Sequence, residues 1–227
     1  MSGAPVIAID GPSGSGKGTV SRRVAEALGF HLLDSGALYR LVWLAGLRAR
    51  LDPGDEAGHA ALAGRMEVHF GAGADGEEQV SLAGEDVTAA IRTELAGNLA
   101  SKVASFGAVR AALVDRQRRF AAPPGLVADG RDMGTVIFPA ARLKLFLTAS
   151  PGERAARRHN QLILKGLNVS LADLSREIAE RDLRDSTRAV SPLVAAADAV
   201  TLDSTRLTPD EVVARVLKLA RERLAGG

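Results

Sequence analysis

The chain has 227 residues, of which 46% are hydrophobic and 25% charged, a composition typical of a globular protein and far from that of a disordered one. It contains no cysteine, which excludes disulfide bonds, thiolate nucleophiles and cysteine-ligated zinc. The formal net charge is only +2, although the 29 basic residues divide into 24 Arg and 5 Lys. So small a net charge does not indicate nucleic-acid binding, whereas the arginine excess fits either compositional bias or the recognition of phosphate groups.

The N-terminal ten residues lack the basic start and the long apolar stretch of a signal peptide. The longest apolar run, near residues 41–47, is far shorter than the roughly 18 residues that span a membrane. We therefore expect a cytoplasmic protein that does not engage a membrane.

The first part of the chain alternates between apolar runs and helical patterns. Residues 5–9 form a short apolar run that predicts a buried strand entering a tight turn. A helical pattern follows over 18–28, and Gly29 is placed to end that helix. Residues 30–33 predict a second strand, and 36–51 predict a second helix.

The pattern changes between about residues 52 and 92. A predicted helix over 56–65 precedes two alternating stretches, 66–70 and 79–82, with a Gly- and Asp-rich turn over 71–77 between them. This order is typical of a β-hairpin. We therefore predict a small α+β subdomain inserted in the chain.

The remaining sequence again alternates between helix and strand. Helical sequence resumes over 93–120, and the final helix is predicted over 209–224. Helices are also predicted to begin after hydroxyl residues that can act as N-caps, namely Ser150, Ser170 and Thr208. Buried strands are predicted at 126–129, 143–147 and 199–202. Strands separated by helices predict an α/β fold with a parallel sheet covered on both faces.

A glycine-rich segment, Gly11-Pro12-Ser13-Gly14-Ser15-Gly16-Lys17, joins the first predicted strand to the first helix, which is the setting of a phosphate-binding P-loop. Successive backbone N–H groups of such a loop can surround an anion, and the helix N-terminus adds its positive dipole end. Lys17 can reach the outer phosphates of a nucleoside triphosphate. The alternative interpretation is a glycine-rich turn that binds nothing. The residues predicted to bind the nucleoside triphosphate are Gly11, Pro12, Ser13, Gly14, Ser15, Gly16, Lys17, Gly18 and Thr19.

The segment departs from the general P-loop at residue 18. Ser or Thr usually follows the lysine, where its hydroxyl ligates Mg²⁺, but this chain has Gly18 there and Thr19 one position later. We therefore expect Mg²⁺ as a cofactor that is held mainly by phosphates and water, with no direct protein ligand. The four histidines show no metal-ligand spacing.

The run Gly16-Lys17-Gly18-Thr19 resembles the P-loop of the nucleoside monophosphate kinases. Three further blocks, 34–40, 129–135 and 181–188, narrow the resemblance to the bacterial cytidylate kinase family, over nearly the whole chain. The blocks read Asp-Ser-Gly-Ala-Leu-Tyr-Arg, Asp-Gly-Arg-Asp-Met-Gly-Thr, and Arg-Asp-Leu-Arg-Asp followed by Arg188. The resemblance implies transfer of the γ-phosphoryl group of ATP to CMP or dCMP.

The same resemblance implies a P-loop NTPase fold, with a five-stranded parallel sheet flanked by helices. It divides this single domain into a core (1–51, 93–150 and 189–227), a monophosphate-binding insertion (about 52–92) and a helical lid (about 151–188). It also implies a monomer whose partners are the small molecules ATP and CMP or dCMP, and not a nucleic acid.

Two nucleotides that face each other repel through their phosphates, so a kinase needs cations at the junction, and Arg suits this role because it stays charged and binds bidentately. The resemblance assigns Arg40 and Arg131 to the acceptor phosphate and Asp185 to a ribose hydroxyl. It assigns Ser101, Arg110 and Asp132 to the cytosine base. The full set of predicted CMP-binding residues is Ser35, Tyr39, Arg40, Ser101, Arg110, Asp129, Arg131, Asp132, Arg181, Asp185 and Arg188. The residues predicted to take part in catalysis are Lys17, Arg131, Arg158 and Arg181.

These assignments have ordinary alternatives. Arg40 and Arg110 could lie on solvated helix faces, and Asp129 could cap a turn. The i, i+4, i+7 spacing of charges within 181–188 also suits an intrahelical ion-pair ladder.

Three arginines, Arg154, Arg157 and Arg158, precede a short loop over 165–169 and a further predicted helix. This arrangement resembles the family's lid, which would close over ATP, exclude water and bring an arginine to the transferring phosphoryl group. The sequence alone does not distinguish the three, and we predict Arg158 for this role.

Other functions fit parts of the sequence. A different P-loop kinase could act on UMP, AMP or a non-nucleotide. A GTPase switch usually carries an Asn-Lys-x-Asp motif, but no Asn of this chain is followed by Lys. An arginine-rich nucleic-acid binder is disfavoured by the near-balanced charge and by an aromatic content of only 4%.

Overall fold

The apolar run near the N-terminus forms a strand, Val6–Asp10, in which all five residues are buried. The computed structural model describes residues 3–72, 78–164 and 166–225. In chain order its elements are β1 (Val6–Asp10), α1 (Lys17–Leu28), β2 (His31–Asp34), α2 (Ser35–Arg48), α3 (Glu56–Arg65), β3 (Val68–Ala72), β4 (Glu78–Leu82), β5 (Glu85–Asp86), α4 (Thr88–Ile91), α5 (Glu94–Val103), α6 (Gly107–Arg118), β6 (Leu126–Gly130), a π-helical turn (Met133–Ile137), β7 (Leu143–Thr148), α7 (Pro151–Leu164), α8 (Leu171–Thr187), β8 (Val200–Asp203) and α9 (Pro209–Ala225). Over these described residues, no helix is long and apolar enough to cross a membrane.

The described residues contain a sheet of five parallel strands in the order β2-β6-β1-β7-β8. This sheet lies in a compact unit formed by Met1–Asp34 and Gln117–Gly227. Its central strand is β1, where Ile7 pairs with Val127 on one side and with Leu143 on the other. Buried aliphatic side chains of these strands pack against α1 and α9. The prediction of a five-stranded parallel sheet flanked by helices is confirmed.

Local signals set the helix boundaries in this unit. Helix α1 ends at Gly29, whose φ of 65° lies in the left-handed region that glycine adopts without strain. The hydroxyls of Ser150, Ser170 and Thr208 each accept a hydrogen bond of 3.3 Å from the backbone N–H three residues further on. These are the N-caps that the sequence predicts for α7, α8 and α9.

A second compact unit, Ser35–Arg116, contains helices and an antiparallel sheet in the order β3-β4-β5. The predicted hairpin is present, with Val68 of β3 opposite Leu82 of β4. Residues 73–77 of its predicted turn lie outside the described residues. The predicted insertion over about 52–92 falls within this unit, and its boundaries stay a prediction.

The helical stretch predicted over 93–120 is divided in two, because α5 ends at Val103 and α6 begins at Gly107. Between them the hydroxyl of Ser105 donates to the Lys102 carbonyl at 2.6 Å, a local bond that competes with continuation of the helix. Strand β5, helix α4 and the π-helical turn are not predicted at all. Each has at most five residues, which is too short for a periodic pattern to appear.

Candidate active site

The predicted P-loop connects the carboxyl end of β1 to the start of α1, where it depends on glycine at three positions. Gly11, Gly14 and Gly16 have φ values of 149°, 76° and 92°, in the left-handed region. A Cβ on Gly11 would lie only 2.0 Å from the backbone oxygen of Leu147 in β7. Glycine is therefore required there both by conformation and by the close approach of the neighbouring strand.

Lys17, the first residue of α1, is 5% exposed and folds back over the loop. Its ammonium donates to the Pro12 carbonyl at 2.8 Å and lies 3.5 Å from the Ser15 hydroxyl. Burial lowers the pKa of Lys17, and the positive charges of Arg131 and Arg181 lower it further. The loop thus holds a desolvated cation among other cations, an environment that an anionic phosphate would stabilise.

Asp129 is the acidic counterpart of this cation, near the carboxyl end of β6. Burial raises the pKa of Asp129, while the positive charge of Lys17 acts in the opposite direction. The carboxylate also faces the residue where the sequence departs from the general P-loop, since a Cβ on Gly18 would lie 3.6 Å from Asp129 Oδ2. A carboxylate therefore lies beside the position at which other P-loops place a hydroxyl.

A second buried carboxylate, Asp10, is absent from the residues that the sequence predicts. It is the last residue of β1 and is 4% exposed. Its two oxygens accept backbone hydrogen bonds of 2.8 Å from Met133 and Gly134, at the start of the π-helical turn. The signal that could have revealed it is an acidic residue that ends an otherwise apolar buried strand.

Arg131 and Asp185 form an ion pair, with Arg131 Nε 3.1 Å from Asp185 Oδ2. Asp185 lies on α8 with its side chain 4% exposed, and Arg131 also donates to the Gly130 carbonyl at 3.1 Å. Burial disfavours the charged guanidinium, but the negative charges of Asp185 and Asp129 outweigh burial and raise the pKa of Arg131. The pair therefore holds a charged, oriented guanidinium close to Lys17.

The three predicted lid arginines on α7 have different surroundings. Arg154 is buried and donates to the carbonyls of Ala149 and Ser13, each at 3.0 Å, and to both carboxylate oxygens of Asp182 on α8. Arg157 donates to Glu153 at 2.8 Å and to the Ser204 carbonyl at 2.6 Å, whereas Arg158 donates to Gln161 at 3.1 Å on the helix surface. Arg154 thus braces the P-loop against α8. Lys165 of the predicted lid loop lies outside the described residues.

In the second unit, α2, α5 and α6 carry the other predicted acceptor residues. The guanidinium of Arg110 lies 5.4 Å from the ring centroid of Tyr39 and donates to the Ala104 carbonyl at 3.1 Å. Arg110 is 4% exposed and so is not the solvated surface charge of the ordinary alternative. Arg40 donates to the Ile91 carbonyl at 2.7 Å, and Ser101 is buried on α5.

Each unit therefore gathers part of the predicted site. The first brings the charges of Lys17, Asp129, Arg131 and Arg181 within range of one another. In the same unit Asp132 is 2% exposed and directly precedes the π-helical turn, and Arg188 lies just past the end of α8, donating to the Ser191 carbonyl at 2.5 Å. The second unit brings Tyr39 to Arg110.

A family model and several curated proteins that resemble this chain carry the same family description. The family model described as "Cytidylate kinase" matches residues 7–222. The cytidylate kinase of Pectobacterium atrosepticum is 56% identical over 222 residues, with 98% of each chain covered. Those of Klebsiella pneumoniae and Colwellia psychrerythraea are 55% and 53% identical, each match covering 97% of both chains.

A solved structure of an uncharacterized protein from Eubacterium ventriosum is similar in fold, with a TM-score of 0.53 over 96% of this chain and 98% of the other at 12% identity. Since this identity is low, the likeness concerns the fold alone. The family model and the curated relatives extend over nearly the whole chain, P-loop and arginines included. The chain belongs to the cytidylate kinase family.

Proposed function

We propose that this chain transfers the γ-phosphoryl group of ATP to CMP or dCMP, giving ADP and CDP or dCDP. An oxygen of the acceptor phosphate forms the new bond to the γ-phosphorus, while the bond from that phosphorus to the β–γ bridging oxygen breaks. The observation that carries this proposal is the match of the cytidylate kinase model to 7–222, a range that contains every predicted ATP- and CMP-binding residue.

On the donor side, the P-loop N–H groups and Lys17 bind the phosphates of ATP. Mg²⁺ neutralises phosphate charge when it is bound. We expect this ion to be held mainly by phosphate oxygens and water, because Gly18 offers no hydroxyl to it. The protein's own contribution is to position the phosphates and to place positive charge around them.

On the acceptor side, Arg131 and Arg181 bind the phosphate of CMP and stabilise the charge that develops during transfer. Asp185 orients Arg131 through their ion pair and accepts a hydrogen bond from the ribose. Arg40 and Arg188 complete the set of phosphate ligands.

Among the lid arginines, Arg158 reaches the transferring phosphoryl group when the lid closes. This choice is supported by the contacts of its neighbours, because Arg154 and Arg157 donate to backbone carbonyls of the same unit. Arg158 donates to the side chain of Gln161 at 3.1 Å, one helical turn further along α7.

Cytosine is read by Ser101, Arg110 and Asp132. Its exocyclic amine is a donor that a carboxylate such as Asp132 can accept, and its N3 and O2 atoms are acceptors for a guanidinium or a hydroxyl. Uracil carries a carbonyl in place of the amine, so the Asp132 carboxylate would repel it. The enzyme acts on these small molecules as a cytoplasmic monomer, with no nucleic-acid or membrane partner, as the family resemblance and the net charge of +2 suggest.

An acceptor screen tests this proposal. We expect CMP and dCMP to have the highest kcat/KM among CMP, dCMP, UMP and AMP. Asp132→Asn should lower the preference for CMP over UMP by about 10-fold or more, because an amide can turn either way. Asp210→Asn, an exposed change on α9, is the matched control and should leave the preference intact. A higher kcat/KM with UMP or AMP would contradict the assignment of CMP and dCMP as the acceptors. An unchanged preference for CMP over UMP in Asp132→Asn would show that Asp132 does not recognise the base.

A further inference from the structure

The carboxylate of Asp10 joins two segments that are distant in sequence. Asp10 ends β1 and directly precedes Gly11 of the P-loop. Asp10 Oδ1 accepts from the Met133 N–H and Oδ2 from the Gly134 N–H, both at 2.8 Å. These two N–H groups begin the π-helical turn, so they are among the donors that such a turn leaves without an internal partner.

The turn that Asp10 binds lies next to two of the proposed acceptor ligands. Arg131 and Asp132, which we propose to bind the acceptor phosphate and base, are the two residues immediately before the turn. π-Helical turns occur frequently at functional sites. The single carboxylate of Asp10 therefore fastens the segment that carries two proposed acceptor ligands to the strand that leads into the donor loop.

We infer that Asp10 is a positioning residue for the acceptor, which holds the Arg131–Asp132 segment in register with the P-loop through its two backbone hydrogen bonds. This inference rests on the proposed function of Arg131 and Asp132. In this role Asp10 acts on the acceptor through the segment that it holds.

A neutral side chain cannot make both bonds at full strength. An amide has one accepting oxygen, and its NH2 group would face an N–H donor. A protonated carboxyl keeps a carbonyl oxygen that accepts well and a hydroxyl oxygen that accepts more weakly. Burying an ionised carboxylate costs free energy, which a favourable effect of the same group must offset. The gain that we assign is the fixed geometry of the acceptor segment.

The charge state of Asp10 provides a distinctive readout. Burial raises the pKa of Asp10 from 3.8 to about 6, with the two backbone hydrogen bonds and Lys17 opposing and Asp132 adding to the effect. The charges of Asp129 and Arg131 also interact with Asp10, and the Lys144 side chain of β7 passes Gly134, with its Nζ 2.9 Å from Asp198. The carboxylate that makes both bonds therefore predominates only above about pH 6.

Positioning and stability should respond to pH in opposite directions. Because the folded pKa is above the unfolded value, the folded protein binds more protons between pH 3.8 and about 6, and the stability contribution of Asp10 falls as pH rises through that range. Acceptor positioning should instead improve over the same range as the second hydrogen bond strengthens. A purely structural role could not give this combination.

The test compares wild type, Asp10→Asn and the control Asp210→Asn. We would measure kcat and KM for CMP, KM for ATP and the thermal midpoint from pH 5 to 9. The ratio of wild-type to variant kcat/KM at each pH largely cancels the titration of CMP itself. Asp210 lies in the first turn of α9 with its side chain 83% exposed and pairs with Arg23 at 2.7 Å, so its ratio should stay within about 2-fold of one at every pH.

For Asp10→Asn we expect kcat/KM for CMP to fall about 10- to 100-fold at pH 8, with KM for ATP changed less than about 3-fold. The ratio should fall several-fold between pH 8 and pH 5, where most of the wild-type Asp10 is also neutral. A ratio independent of pH, or a lowered thermal midpoint with unchanged kinetics, would overturn the inference. A wild type that does not phosphorylate CMP would instead overturn the proposed function.

Amide hydrogen exchange keeps the inference testable if Asp10→Asn does not fold. In wild type, exchange protection should drop below about pH 6 for at least one of the Met133 and Gly134 amides, while that of the Ala96 amide, whose acceptor is the Thr93 hydroxyl, should not. Protection at Met133 and Gly134 that persists at pH 5 would overturn the inference. This measurement needs no substrate, so it separates the fastening from the proposed activity.

Discussion

Replacing Lys17 by alanine is expected to lower turnover about 1,000-fold while leaving the protein folded. The ammonium lies within the P-loop at 2.8 Å from the Pro12 carbonyl, where it can shift to the phosphates of ATP. Since the site is buried, the loss of this charge is not compensated by water. Folding should survive because burial lowers the pKa of Lys17 below 10.5, which means that the charged side chain costs stability at neutral pH.

The measurement is steady-state kinetics with ATP and CMP, together with thermal unfolding. Lys17→Met keeps the length of the side chain without its charge and should match the alanine variant. Lys218→Ala, on the exposed face of α9, is the control and should retain wild-type turnover. Wild-type turnover in Lys17→Ala would contradict the P-loop assignment.

Arg131→Ala should lower both activity and stability, for different reasons. The loss of a guanidinium at the acceptor phosphate should reduce kcat/KM for CMP about 100- to 1,000-fold. The substitution also leaves the buried carboxylate of Asp185 without the cation that is 3.1 Å away, which should lower the free energy of unfolding by about 3 kcal/mol.

A double variant separates the two effects. Arg131→Ala with Asp185→Asn also removes the negative charge that has lost this cation, so it should recover much of the stability and none of the activity. Arg176→Ala breaks an exposed pair with Asp173 on the same helix and should change neither property appreciably. The assignment of Arg131 fails if the single variant retains wild-type kcat/KM, whatever its stability.

The parts of the fold that follow from local signals could be predicted. The apolar run of β1, the glycines and lysine of the loop, and the hydroxyl caps of α7 to α9 each act within a few residues, so their consequences are readable from the sequence. The break between α5 and α6 lies at Ser105, whose local hydroxyl bond gives no periodic signal, and short elements such as the π-helical turn also lack one.

The candidate site was less accessible to such reasoning. The P-loop residues follow from their spacing, whereas Ser101, Arg110 and Asp132 were found only through resemblance, since nothing local joins them. Asp10 was missed because its partners are backbone N–H groups more than 120 residues away. Every residue except proline has such a group, so the sequence does not reveal which ones Asp10 binds. Arg154 looked equivalent to its neighbours until its contacts distinguished it.

The brace at Arg154 has a consequence for movement. Arg154 ties the P-loop to α8 at Asp182, eleven residues from the start of that helix at Leu171, or about 16 Å at 1.5 Å per residue. If α8 tilted by roughly 10° about Asp182, Leu171 would move about 3 Å but Asp185 less than about 1 Å. Such a tilt would move the N-terminal end of α8 widely while its C-terminal end, which bears the proposed acceptor ligands, stays nearly still.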